Sequence, residues 1–282
     1  MVIIKDLEKH YGSFHLNVSM EIPDGRITGM IGKNGAGKTT TIKAILGLIR
    51  PDGGSVEVFG KNINELTHTE KERISAALAE SGFSGWLYVE DAVKILRSLY
   101  NRFDEGMFLE YCRILNLPLK KQIKEFSMGM KAKLRVLCAL CTGADLMIMD
   151  EPTAGLDVEA RIEILELIQK YMEAHPDASV MISSHISSDL EGLCDDIYLI
   201  HDGKILLHED TDVILDNYGV LKCDEDLYNA LDKQYILSTV QDKYMYRCLC
   251  SDRHYYSSLY PDAVVEKAGL DDLILMMGGK GV

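Results

Sequence analysis

Residues Gly32-Lys33-Asn34-Gly35-Ala36-Gly37-Lys38-Thr39 complete the pattern GxxxxGK[ST], and their setting constrains the fold more than any other feature of the chain. The apolar run Ile27 to Ile31 precedes them and Thr40-Thr41-Ile42-Lys43-Ala44-Ile45-Leu46 follows. Strand, glycine-rich turn and helix start, in that order, form a phosphate cradle. The glycines let backbone N–H groups turn inward, and the helix start adds a favourable dipole. Lys38 supplies charge toward the β- and γ-phosphates, and Thr39 offers a hydroxyl to Mg²⁺. The expected ligand is a nucleoside triphosphate, held by Gly32, Asn34, Gly35, Ala36, Gly37, Lys38, Thr39 and Thr40.

Composition narrows the partners. The 282 residues suffice for one large domain and a smaller one, and 30 Lys and Arg against 44 Asp and Glu give a net charge of −14. The basic residues form no long block, so no nucleic-acid partner is expected. Met1-Val2-Ile3-Ile4-Lys5-Asp6 does not open a secretory leader, and no apolar run is long enough to span a bilayer, so any membrane role is expected to run through a partner. Seven cysteines with mostly apolar neighbours read as reduced, buried thiols. Cys138 and Cys141 would share a helix face and Cys248 and Cys250 a strand face; a zinc site could use both pairs, but nothing else in the sequence brings them together.

Short apolar or alternating runs mark strands at Val2 to Leu7, Leu16 to Ile22, Ile27 to Ile31 and Val56 to Phe59, with Pro23-Asp24-Gly25 expected as a hairpin turn. From Glu70 to Leu140 the pattern becomes mainly helical, with three- and four-residue spacing over Val89 to Tyr100, Glu105 to Leu115 and Met130 to Leu140. Strand-like runs then return at Leu146 to Met149, Ser179 to Ser183 and Ile197 to Ile200, alternating with helices over Val158 to Met172 and Ser187 to Leu193. Such alternation predicts a largely parallel sheet covered by helices. Beyond Asp210 a small α/β region is expected: a helical patch at Leu221 to Leu231, strands at Tyr235 to Val240 and Met245 to Cys250, and a helix at Gly269 to Met277.

Leu146-Met147-Ile148-Met149-Asp150-Glu151 ends a buried strand on two adjacent carboxylates. Asp150 is expected in the Mg²⁺ shell, and Glu151, turned differently by Pro152, can polarise a water attacking the γ-phosphate.

With both motifs in place, the chain resembles the ATP-binding subunit of an ABC transporter, in the bacterial exporter-like branch whose permease is a separate polypeptide. Ala154-Gly155-Leu156-Asp157 is similar to the D-loop of that family, and Ser183-Ser184-His185 to its switch histidine; the motifs run in family order. The resemblance implies an α/β fold: a P-loop NTPase core of ABC ATPase type with an antiparallel β-subdomain, a helical insertion (about 70–140) and a small C-terminal α/β extension. It divides the chain into an ATP-binding domain, 1–215, and an accessory region, 216–282, which either serves dimer support or regulation or simply packs onto the core. It implies ATP and Mg²⁺ as ligands, with Glu151, His185 and Lys38 catalytic and Thr39 and Asp150 on the metal.

Further site residues follow from the same resemblance. Phe126-Ser127-Met128-Gly129-Met130 stands where the family has Leu-Ser-Gly-Gly-Gln; Ser127 and Gly129 remain to meet the γ-phosphate bound by the opposite subunit. Asp157 would connect the two sites. Tyr11 matches the aromatic that stacks on adenine, and Glu80 takes the position of a Gln that senses Mg²⁺, the alternative being a surface turn. His15, His68, His175, His201 and His208 lack a supporting motif and are read as surface or loop residues. Phe83, Trp86, Leu87 and Tyr88 either receive a short helix of the permease or close an internal core.

The implied function is a Mg²⁺-dependent ATPase that closes as a homo- or hetero-dimer and drives a separate integral membrane permease. Its expected place is cytoplasmic, peripheral on the inner face of the cell membrane. The alternative is a soluble ATPase of the same type acting on translation or another macromolecular machine.

Overall fold

The computed structural model describes residues 1–79, 82–241 and 245–279. Strand β1 (Val2–Tyr11) turns back into β2 (Phe14–Ile22) with Tyr11 opposite Phe14, a two-residue loop in which Gly12 takes φ 58°. β3 (Ile27–Ile31) is buried at every residue, whereas β2 alternates from Leu16 to Ile22. That difference separates them: β3 lies between two parallel strands of another sheet, so Pro23 to Gly25 is a crossover and not the expected hairpin turn. A strand buried on both faces needs neighbours on both edges and layers above and below.

After β3 come α1 (Lys38–Ile45), β4 (Gly53–Val58), β5 (Lys61–Asn62) and the single turn α2 (His68–Lys71), which a Thr67–Glu70 capping box starts. The order β2-β1-β4-β5 makes the antiparallel sheet. Next, β6 (Ile74–Ala77) corrects the helical reading that began at Glu70: it pairs in parallel with β7 (Leu146–Asp150). A four-residue apolar run carries no period that separates strand from helix. Between β6 and β7 lie α3 (Val89–Leu99), α4 (Glu105–Ile114) and α5 (Met128–Leu140), close to their expected bounds.

The chain continues through α6 (Val158–Ala174), β8 (Ser179–Ser184), α7 (Ser187–Glu191), β9 (Asp196–His201) and β10 (Lys204–Asp210). The six-stranded sheet has the order β10-β9-β3-β8-β7-β6, parallel except for β10. Strand alternation sends its side chains into two cores. Met147, Met149, Val180 and Ile182 join α5 and α6 on one face; Ile148, Met181 and Ile200 join α1 and the antiparallel sheet on the other.

α8 (Thr211–Asn217) passes through the expected division at 215 and leads into a second antiparallel sheet. There β11 (Gly219–Cys223) and α9 (Glu225–Ala230) replace the single helical patch expected at Leu221 to Leu231; Asp224 caps α9 by accepting from the Leu227 N–H. β12 (Ile236–Gln241) and β13 (Tyr246–Cys250) agree with the sequence pattern, while α10 (Arg253–Leu259) and β14 (Val264–Lys267) were not foreseen. The order is β12-β13-β11-β14, and α11 (Leu270–Met277) closes the described chain.

The cysteines are free, and all but the half-buried Cys138 are buried. Cys138 and Cys141 pack in the main core, and Cys248 and Cys250 in a small core under the C-terminal sheet, so the two pairs do not share a zinc site. Burial pushes the thiols of Cys112 and Cys223 up to about 12 and that of Cys250 up to about 11, and raises Cys138, Cys141, Cys194 and Cys248 as well. A thiol whose pKa is raised stays protonated and unreactive at pH 8. Native protein is therefore expected to react slowly with a thiol reagent at pH 8, and all seven cysteines to react at once after denaturation.

Candidate nucleotide site

The site assembles where three parallel strands end. Register pairs Ile31 with Ser184 and Asp150 with Ser183, which brings the loops after β3, β7 and β8 to one edge of the sheet. A cavity of about 430 Å³ opens there, lined by Tyr11, Phe14, Asn34, Gly35, Ala36, Gly37, Lys38, Thr39, Thr40 and Glu151. Gly32 sits behind it, where a Cβ would lie 2.3 Å from the Ile200 carbonyl oxygen. Gly35 takes φ 82° with open space on its Cβ side, so the loop can present its backbone to a phosphate.

Lys38 is 5% exposed and donates to the Gly32 carbonyl at 2.6 Å. Its Nζ also lies 3.1 Å from Glu151 Oε1, an ion pair without hydrogen-bond geometry. That buried oxygen consequently has no hydrogen-bond partner among the described residues. Asp150, 3% exposed, accepts from Thr39 Oγ1 at 2.8 Å and from Ser183 Oγ at 2.6 Å. Glu151 adopts φ 49°, a left-handed setting uncommon for a residue other than glycine, and its N–H donates to Ser183 Oγ at 3.1 Å. His185 Nδ1 stands 2.6 Å from Glu151 Oε2, and the His185 N–H donates to the same oxygen at 3.3 Å.

The residues fit Mg²⁺ and a triphosphate. Thr39 and Asp150 supply hard oxygen donors beside the loop, and Glu151 Oε1, ion-paired with Lys38, accepts no hydrogen bond among the described residues. Ser183 grips both carboxylate residues, although in the sequence it stands only as part of the switch segment; its place directly beside Asp150 becomes visible only in the sheet.

Other expected site residues lie elsewhere. Ser127, Gly129 and Asp157 line a separate depression of about 420 Å³ with Met128, Met130 and Gly155. In it Ser127 Oγ accepts from the Met130 N–H at 3.2 Å and Asp157 Oδ1 from the Ala160 N–H at 2.9 Å, so each caps a helix. Tyr11 is half exposed at the hairpin tip, on the rim of the first cavity. Glu80 lies outside the described residues. Of the five unassigned histidines, His15 lies in β2 and His208 in β10, where it stacks on Tyr198 and faces Asp196.

Comparison with known proteins agrees with this geometry. The family described as ABC transporter matches residues 16–154. The lantibiotic transport ATP-binding protein SrtF of Streptococcus pyogenes is 34% identical over 216 residues, covering 75% of this chain and 92% of that protein. The chain belongs to the ABC transporter ATP-binding proteins. The bacitracin transport ATP-binding protein BcrA of Bacillus licheniformis is 37% identical over 207 residues, 71% of this chain and 67% of that one. A solved ATP-binding subunit of an ABC transporter superposes with a TM-score of 0.67 at 27% identity, over 76% of this chain and 91% of the other. The dimeric ATP-binding cassette MJ0796, bound to ADP and Pi, shares the fold with a TM-score of 0.65 at 21% identity, over 75% and 99% of the two chains.

As an ABC transporter ATP-binding protein the chain is a P-loop ATPase that uses ATP with Mg²⁺ to drive transport. No helix among the described residues is long and apolar enough to cross a membrane. The buried Asp150 depends on two hydroxyls, and Ser183 supplies the shorter bond. Ser183→Ala is expected to cost about 1–3 kcal/mol of stability in urea unfolding and to raise the Mg²⁺ concentration needed for half-maximal ATPase rate.

Proposed function

We propose that this chain is the motor subunit of an exporter, acting as a homo- or hetero-dimer on a separate integral membrane permease. The contact of His185 with Glu151 beside the phosphate loop carries the catalytic part of the reading. Tyr11 stacks on adenine, and the loop from Gly32 to Thr40 holds the phosphates with Lys38. Thr39 and Asp150 hold Mg²⁺, which neutralises phosphate charge when bound. Glu151 takes the proton of the attacking water, with Lys38 beside one carboxylate oxygen and His185 beside the other.

Ser127 and Gly129 lie in a depression apart from the loop, which suits a pocket completed by the second subunit. ATP held between the loop of one subunit and Ser127 and Gly129 of the other draws them together, Asp157 links the two sites, and loss of phosphate releases them. Glu80 is proposed as the Mg²⁺-sensing residue from its position in sequence alone.

A groove of about 800 Å³ between the sheet and the helical insertion suits the permease's docking helix. It is lined by Phe83, Leu96, Leu99, Tyr100 and Ile123, among others. Within the aromatic segment beside it, Trp86 is 70% and Tyr88 41% exposed, while Phe83 and Leu87 pack partly against the core; the segment thus divides between the two readings. Docked in this way, the chain would sit on the cytoplasmic face of the membrane. The relatives named for bacitracin and lantibiotic transport support a role in transport.

Glu151→Gln is expected to retain ATP binding and ATP-dependent dimerisation while steady-state hydrolysis falls by about 10²–10⁴-fold, measured by nucleotide binding, light scattering and phosphate release. Wild-type turnover would remove Glu151 as the base. Affinity purification from detergent-solubilised native membranes is expected to recover a stoichiometric multispan protein; recovery with ribosomes alone would move the reading to a soluble machine.

A further inference from the structure

The β1–β2 hairpin places three ligand-type side chains on one face. His10 pairs directly with His15 across the strands, and Glu8, two residues before His10, points to the same side. The two imidazoles stack with centroids 4.1 Å apart and planes 9° from parallel. One ligand atom from each of Glu8, His10 and His15 lies within 4.8 Å of the others. Among the described residues no hydrogen bond engages the ring nitrogens of either histidine, and no cation pairs with Glu8, whose only side-chain partner is Asn17 at 3.4 Å. Lys9, on the opposite face, is bound to Asp52.

We propose that Glu8, His10 and His15 form a binding site for one divalent transition-metal ion of the zinc class. Two imidazoles and one carboxylate with an open fourth position are a donor set such ions favour, and one that Mg²⁺ does not. Paired strands and a two-residue turn hold the donors already near one another, so only side-chain rotation is needed. The ion would sit one residue from Tyr11, stiffening the turn that carries it.

Metal-stripped full-length protein titrated with Zn²⁺ against a chromophoric chelator tests this, with His10→Ala/His15→Ala compared at matched secondary structure. Wild type is expected to take up one equivalent that the double variant binds at least tenfold more weakly; zinc held by thiols is common to both and cancels. Equal stoichiometry and affinity in the two proteins would overturn the site.

A second inference comes from α11 and rests on the role proposed for His185. The start of this helix is tied to α7, which begins two residues after His185: Ser187 Oγ donates to Asp271 Oδ1 at 2.6 Å and the Leu270 N–H to Glu191 Oε1 at 2.8 Å. Its far end receives Lys33 of the phosphate loop, whose Nζ donates to the Gly278 carbonyl at 3.2 Å. Leu270, Leu273 and Met276 are buried in the same core as Ile182 and Leu190. One short helix thus spans the two loops that must flank the nucleotide. Asp189 holds α7 from the other side through Thr153 at 2.5 Å and Arg161.

The structure assigns Asp271 as a positioning residue that acts through Ser187 to fix the His185 loop. Asp271→Ala and Ser187→Ala are each expected to lower kcat for ATP about five- to tenfold with KM within twofold. Their double variant should be no worse than either alone, and Asp271→Asn, which can still accept from Ser187, should recover most of the rate. Additive losses, or a lowered melting temperature with unchanged kcat, would overturn the assignment. His185→Ala is the control: an unchanged rate there would remove the underlying reading of His185, whereas a fall there with Asp271→Ala unaffected would remove only the positioning role.

Discussion

The parallel register of β3, β7 and β8 is the constraint on which the site depends. Strands buried on both faces cannot slip by one residue without exchanging their contents between the two cores. Because Ile31 is locked beside Ser184 and Asp150 beside Ser183, the phosphate loop, the carboxylates and His185 emerge at one edge. The local chemistry is then set by short bonds among Thr39, Asp150, Ser183, Glu151 and His185. Each joins segments far apart in the chain, so the site exists only in the completed sheet.

Much of this was legible because the chemistry at the phosphate loop is local. Gly35, Gly37, Lys38 and Thr39 are consecutive or nearly so, and their flanks declare strand and helix. Asp150 and Glu151 were equally readable as the end of an apolar run. What escaped was decided by distant partners. β6 is a strand because β7 lies beside it, β3 is no hairpin arm because β8 and β9 flank it, and β11 needs β13 and β14 to be a strand at all. Ser183 shows the same limit within the site, since its partners sit 32 and 33 residues earlier.

Ser127 and Asp157 illustrate how one side chain serves two levels of organisation. Each is an N-cap, so each fixes the start of a helix on the surface depression they share. A residue needed to begin a helix is also well placed to offer that helix start to a phosphate. The substitutions Met128 and Met130 leave this arrangement intact, because the cap is formed by the Ser127 hydroxyl and the backbone of residue 130.

The shared core of α11 and the six-stranded sheet has a consequence for how the chain is made. Ile182, Leu190 and Leu199 pack in one cluster with Val220, Leu249, Leu270, Leu273 and Met276. Synthesis proceeds from the N-terminus, and Leu270, Leu273 and Met276 leave the ribosome only after every strand of the six-stranded sheet. Until they arrive, the part of that face around Ile182, Leu190 and Leu199 lacks the cover that α5 and α6 give the rest. The nascent chain therefore carries a complete phosphate-binding motif long before it has a closed core around it.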